Sequence, residues 1–265
     1  MRARLLGMRQ VAKPWGRSVL PAPFMNEGSA PVGEIWFADA GAEPLPLLAK
    51  YLFTSEKLSI QVHPNDAQAR ASGLPSGKEE CWLVLDAQPG AVLGIGTTRP
   101  LNAIELHAAA LDGSIEGLMD WKPVARGDFF YIPAGTVHAI GAGVSLIEVQ
   151  QHADITYRLY DYGRPRELHL DDGVAVSDAR PYAHPRARRV DFAEDHLLVD
   201  GPIFRVAICG ADAVLAGSGA TLILPLSGTV VANGSVAGAG DCIAIQCGTI
   251  WQTSEGARLL IARMC

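Results

Sequence analysis

The sequence predicts a mainly β protein, and three observations carry that prediction. Apolar runs of strand length recur along the 265 residues. Glycine (28) and proline (17) fall between those runs as turn formers. Apolar spacing of helical period is scarce. In the first part of the chain the strand candidates are 47–53, 58–62, 81–85, 91–95, 129–132 and 144–149. In the last part they are 204–209, 220–226, 229–232, 242–246 and 259–263. Short strands with regular turns point to a β-sandwich or barrel. The best helical stretch runs from Asn102 to Asp120, with Asn102 placed to cap a run that holds Ile104, Leu106 and three alanines. A shorter helix is expected to start at Asn65 or Asp66. Around 178–189 two prolines accompany the basic cluster Arg186, Arg188 and Arg189, with few apolar residues, which reads as a linker.

The two parts echo each other. Gly127-Asp128 opens an apolar strand that ends at Gly135, and Gly240-Asp241 opens one that ends at Gly248. A turn, a strand and a second turn, repeated once, suggest two related barrels. The residues after the second turn differ: Thr136-Val137-His138 in the first part, Thr249-Ile250-Trp251 in the second. Only the first barrel is equipped for a metal. The expected division is therefore an N-terminal barrel over 1–177 with a helical insertion near 102–120, a linker over 178–195, and a smaller C-terminal barrel over 196–265 without metal ligands.

Composition narrows the function classes. Apolar residues make up 49% and charged residues 19%, a globular balance. The net charge of −6 gives no basic footprint for nucleic acid. No run of about 18 apolar residues suggests a membrane span. Arg2 and Arg4 precede only a brief apolar stretch, unlike a signal peptide. The five cysteines form no paired CxxC motif. A cytoplasmic protein with free thiols is expected, with neither nucleic acid nor membrane as partner.

The densest group of ligand-type residues is Gln61-Val62-His63, then Lys78-Glu79-Glu80, then His138. In a strand, residues i and i+2 share a face. Gln61 and His63 therefore share one face and Ile60 and Val62 the other. Lys78 and Glu80 share a face in the same way. The turn at Pro133-Ala134-Gly135 can deliver His138 to the same point. Two imidazoles and a carboxylate form a common zinc set with positions left open, and Gln61 can add a neutral oxygen. Iron, manganese and cobalt fit the same donors. Glu79 is expected to be a solvated charge, and His107, His152, His169, His184 and His196 are read as non-ligands.

The wording of these segments resembles a known family. Gln61-Val62-His63-Pro64-Asn65-Asp66, Gly77-Lys78-Glu79-Glu80-Cys81-Trp82 and Ile132-Pro133-Ala134-Gly135-Thr136-Val137-His138-Ala139 are similar, in order and spacing, to motifs of the type I mannose-6-phosphate isomerases. Glu148-Val149-Gln150-Gln151 through Thr156-Tyr157-Arg158-Leu159-Tyr160-Asp161-Tyr162 resembles a stretch of their short bacterial members. Lys13-Pro14-Trp15-Gly16 and Gly33-Glu34-Ile35-Trp36 resemble the family's opening. The likeness covers about residues 10–175. It implies a double cupin, that is two jelly-roll-like β-barrels with a few short helices. It also implies one zinc ion per chain on Gln61, His63, Glu80 and His138, and catalytic positions at Lys78, Arg158 and Asp154. The implied reaction interconverts mannose 6-phosphate and fructose 6-phosphate through a cis-enediol(ate), so the implied partner is a phosphorylated hexose. Zinc and Arg158 are expected to lower the pKa of Lys78 by like-charge repulsion. Asp154 either positions Arg158 or acts as the base. Two other readings share the scaffold: an oxidative metal-dependent cupin enzyme and a non-catalytic sugar-binding cupin.

Overall fold

Three central strands of the first barrel are buried on both faces, and their period of two explains why. In Leu47–Phe53 every residue is buried. Leu47, Ala49, Tyr51 and Phe53 face one apolar cluster, while Leu52 faces another. Glu80–Ala87 splits in the same way, with Cys81 and Leu83 on one side and Trp82 and Val84 on the other. In Val144–Gln151, Ile147 and Val149 oppose Val144 and Leu146. A strand covered on both faces reads as a continuous apolar run. A charged residue inside such a run, like Lys50, Glu80 or Glu148, must then be paired.

The computed structural model describes residues 3–38, 45–210 and 219–265. Arg2 and parts of the two predicted barrels lie outside the described residues. Among the described residues a 7-stranded sheet runs in the order Arg188–Arg189, Asp128–Ile132, Glu80–Ala87, Val144–Gln151, Leu47–Phe53, Val32–Ala38 and Gly7–Arg17. A 5-stranded sheet faces it: Tyr157–Tyr160, Ile60–Val62, His138–Ile140, Val92–Thr97 and Met119–Pro123. The interior between them is the first barrel. The outer face of the 5-stranded sheet carries Ile60, Val62, Val137, Ala139 and Leu159, which pack on Leu106, Ala109, Ala110 and Ile115 of the helical insertion.

The insertion is shorter than expected. Asn102 caps Ala103–Asp112 through a reciprocal capping box with Glu105. Gly113, at φ 82°, ends that helix in the left-handed region. A single turn, Ile115–Leu118, comes next, and Met119–Pro123 is already strand, so Asp120 is not helical. The small helix Asp66–Ala71 has the same capping box, built from Asn65 and Gln68.

The second part is a 6-stranded sheet, Ala3–Leu5, Ile243–Ile245, Thr221–Ser227, Arg258–Met264, Phe204–Cys209 and His196–Asp200, beside a 3-stranded sheet of Ser235–Gly238, Thr229–Ala232 and Trp251–Thr253. The expected partition into 1–177, 178–195 and 196–265 differs from this in two places. Ala3, Arg4 and Leu5 pair with Ile245, Ala244 and Ile243, so the start of the chain belongs to the second sheet. The stretch read as a linker is bound to the first barrel: Arg188 and Arg189 pair with Phe129 and Asp128, and Arg189 forms two hydrogen bonds with the Asp128 carboxylate. The basic residues that suggest a solvated linker are anchored by carboxylate and backbone partners. One apolar cluster spans both parts, joining Tyr51, Phe53, Leu83, Ile147 and Val149 to Val206, Ile208, Leu222, Leu224 and Leu260. Burial of such side chains stabilises by about 1.5–3 kcal/mol each.

Candidate metal centre

His63, Glu80 and His138 meet inside the first barrel. Their donor atoms lie within 4.8 Å of one another and all three residues are buried, the one such grouping of three His, Cys, Asp or Glu donors among the described residues. Each comes from a separate segment. His63 follows the strand Ile60–Val62, Glu80 opens Glu80–Ala87, and His138 opens His138–Ile140. The backbone brings the segments together: His138 is the register partner of Gln61, and the Gly135 N–H donates to the His63 carbonyl at 2.8 Å. Glu80 Oε1 lies 3.4 Å from His138 Nε2, and Glu80 Oε2 lies 3.5 Å from His63 Nε2.

The donor set fits a divalent ion. His138 Nδ1 is 2.8 Å from the Thr136 carbonyl, which fixes the ring and turns Nε2 toward the centre. Burial pushes the His138 pKa down to about 4 and that of His63 well below the usual imidazole range. Both rings are therefore neutral, the ligating form, at neutral pH. Burial and then Glu148 push Glu80 up, and Glu80 Oε1 is a buried acceptor with no hydrogen-bond partner among the described residues. A cation beside it offsets that cost. Gln61 reaches the same group, its amide nitrogen 3.3 Å from His138 Nε2 and its oxygen 3.2 Å from Ser59 Oγ. Turning the amide over would present Oε1 to the imidazole side.

Lys78 is buried against the group, with Nζ 2.8 Å from Glu80 Oε2 and 2.9 Å from His63 Nε2. It precedes the strand that Glu80 begins, so it shares that face from a loop rather than from within the strand. Burial opposes its charge, but Glu80 and Glu148 outweigh burial and hold its pKa above the ordinary lysine range. The expectation of a lowered pKa concerns the zinc-loaded site, where the ion's charge adds to these groups. Arg158 lines the same cleft, which Asp154 also lines. Arg158 Nη1 donates to the Glu167 carbonyl at 2.9 Å. Among the described residues no ion pair joins Asp154 to Arg158, and Asp154 is exposed. Glu79 is half-buried rather than solvated, and accepts a short hydrogen bond from the Tyr131 hydroxyl.

Sequence reasoning misses a second set of charges facing this cleft. Lys50 and Glu148 are a buried pair at 3.2 Å. The Trp82 indole N–H donates to Glu148 at 3.1 Å, and the Trp82 ring stands edge-on to His138 with centroids 5.3 Å apart. Burial opposes the Glu148 charge, yet Lys78 and Lys50 hold its pKa well below the usual carboxylate range. The sequence does carry a signal for this pair, as a lone charge inside each of two apolar strand runs.

No family model matches the chain. Curated relatives do. The mannose-6-phosphate isomerase of Streptococcus mutans is 38% identical over 178 residues, 64% of this chain and 56% of that protein. A mannose-6-phosphate isomerase of Bacillus subtilis is 40% identical over 158 residues, 55% of this chain and 50% of that protein. The chain thus spans about half the length of these relatives. The crystal structure of the mannose 6-phosphate isomerase from Bacillus subtilis superposes with a TM-score of 0.78 at 24% identity, covering 99% of this chain and 100% of that one. That likeness makes the fold a double cupin. By sequence over these matched stretches, and by fold over nearly its whole length, the chain is similar to the mannose-6-phosphate isomerases.

Proposed function

We propose that the chain is an aldose–ketose isomerase that interconverts mannose 6-phosphate and fructose 6-phosphate, with a phosphorylated hexose as its partner and one zinc ion per chain. The observation that carries this reading is the ammonium of Lys78 set 2.8 Å and 2.9 Å from two members of a His–Glu–His donor group, in a cleft that Arg158 and Asp154 also line. A zinc-bound mannose 6-phosphate isomerase of the same fold, at 14% identity and a TM-score of 0.70, supports the choice of metal. In this reading Gln61, His63, Glu80 and His138 hold the ion, and the second barrel serves as support. The ion supplies Lewis acidity toward sugar oxygens.

The chain's own residues do the rest. The reaction moves hydrogen between C1 and C2, so a proton must leave one carbon and reach the other by way of an enediol(ate). Lys78 in its ammonium form presents a proton to oxygen where negative charge develops. A proton acceptor must reach both carbons from one face. Lys78 after loss of its proton and Asp154 are the two groups assigned to that task. Arg158 keeps its charge and offers several donors for the enediolate oxygen or the phosphate.

A coupled assay that detects fructose 6-phosphate from mannose 6-phosphate tests the reading, run with zinc analysis on one sample. Lys78→Ala should retain zinc while kcat falls about 10²–10⁴-fold, the usual contribution of a positioned acid–base group. Near-normal kcat in that variant would remove Lys78 from the mechanism.

A further inference from the structure

Lys78 poses a structural problem. It lies outside any regular strand, so no ladder of hydrogen bonds holds its backbone, yet its ammonium is placed within 3 Å of two site residues. The segment 77–79 must be fixed by something else. We propose that Asp66 and Gln151, neither of them in contact with the site's reacting groups, are the positioning residues that set Lys78 and Glu80 against His63. The proposal deepens the isomerase reading and rests on it for its kinetic consequence.

One carboxylate oxygen, Asp66 Oδ1, accepts from the Gly77 N–H at 2.8 Å and from Gln151 Nε2 at 2.9 Å. The other end of the same amide, Gln151 Oε1, accepts from the Glu79 N–H at 2.9 Å. Donor on one side and acceptor on the other leave only one orientation for that amide. Gln151 also donates its own N–H to the Glu79 carbonyl at 3.0 Å, so it clamps Glu79 through backbone and side chain together. Between these ties the Lys78 N–H donates to the Pro64 carbonyl at 3.0 Å. The contact is close enough that a Cβ on Gly77 would sit 2.4 Å from the Asn65 carbonyl carbon and 2.6 Å from Asp66 N.

The geometry has a direct consequence. Pro64 and Asp66 come just after His63 in the chain, and Gln151 lies three residues beyond Glu148 on Val144–Gln151. The staple therefore ties the segment that carries Lys78 and Glu80 to the segments that carry His63 and Glu148. Losing it lets residues 77–79 drift while each site side chain remains present. A displacement of about 1 Å at reacting groups can cost roughly 10²-fold in rate.

The test uses three variants of the full chain. Asp66→Asn keeps an oxygen acceptor at Oδ1, Asp66→Ala removes it, and Gln151→Leu removes both ends of the amide. Each is read by steady-state kinetics on mannose 6-phosphate, by zinc affinity in chelator competition, and by thermal melting. Asp66→Ala and Gln151→Leu should lower kcat roughly 10–100-fold with KM changed far less, and should weaken zinc about tenfold or more, as loss of a supporting partner does. Asp66→Asn should stay near wild type. A fall in melting temperature with kcat and zinc affinity unchanged in both disruptive variants would overturn the proposal, and so would equal damage from Asp66→Asn and Asp66→Ala. Asp66 is half-buried at a helix start, so its alanine variant folds even if Gln151→Leu does not. A wild-type protein without isomerase activity would sink the isomerase reading alone. Zinc affinity would then judge the staple by itself.

Discussion

The turn–strand–turn unit around residue 128 and its counterpart around residue 241 share a backbone and differ in chemistry. In the first, the Asp128 carboxylate accepts from the Ala125 N–H at 2.8 Å, and in the second Asp241 accepts from the Gly238 N–H at 2.9 Å. Gly127 and Gly240 both hold positive φ, at 88° and 94°, and so do the closing glycines Gly135 and Gly248, at 85° and 78°. The closing turns are alike as well: Thr136 N–H to the Pro133 carbonyl and Thr249 N–H to the Gln246 carbonyl, both 3.1 Å. The next strand then opens with His138 in one and Trp251 in the other. The unit supplies position, and the function depends on which side chain stands two residues beyond the turn and on what the neighbouring strands bring to meet it. His138 meets His63 and Glu80. Trp251 packs beside the apolar cluster of Ile223, Ile243 and Ile261.

That comparison can be broken most forcefully at the two equivalent positions. His138→Ala should abolish zinc binding and isomerase activity together, whereas Trp251→Ala should keep one zinc per chain and near-normal kcat. Metal analysis and the coupled assay on the pair would check this, and retained zinc in His138→Ala would take it out of the ligand set. The closing glycines give a smaller effect. Alanine at either should cost about 1–2 kcal/mol, because a Cβ resists the left-handed region. Among the described residues no atom lies within 4 Å of a Cβ added at Gly248, while at Gly135 the Val176 carbonyl oxygen lies 3.1 Å away. Gly135 also donates to His63. Urea unfolding should therefore rank Gly135→Ala as the more damaging, and only that variant should weaken zinc. The smallest difference is expected at the aspartates. Asp241→Ala loses one hydrogen bond to a turn N–H, worth about 0.5–1.5 kcal/mol. Asp128→Ala loses the same bond and the Arg189 contacts, so it should cost more in the same unfolding experiment.

Much of this architecture is legible in the sequence because strand and turn signals are local. The run 47–53 coincides with Leu47–Phe53, and Phe204–Cys209 and Thr229–Ala232 match the predicted bounds as well. Asn102 and Asn65 announce their helices through reciprocal bonds three residues away, which a sequence displays directly. The hidden parts depend on partners distant in the chain. Ala3–Leu5 is a strand only because Ile243–Ile245 offers it an edge. Gly7–Arg17, rich in polar residues and interrupted by Pro14, carries no clear strand signal, although Val32–Ala38 pairs with it. The helix expected over 102–120 is too long because Gly113 acts as a stop inside it. At the site, side chains spaced two apart are readable as one face. Lys50 and Glu148 show only as lone charges in two apolar strand runs, and that they pair with each other follows only from the register of those strands. Glu79 escapes sequence reasoning for the same reason: its partner, Tyr131, is 52 residues away.

The central claim is that one divalent ion sits among Gln61, His63, Glu80 and His138, beside Lys78, in the first barrel and nowhere else. Anomalous diffraction at the zinc absorption edge, from crystals of the purified chain, tests it most directly. The account predicts a single strong peak per chain within bonding distance of the two imidazoles and the Glu80 carboxylate. A peak in the second barrel, or no peak at this group in protein that retains full isomerase activity, would contradict it.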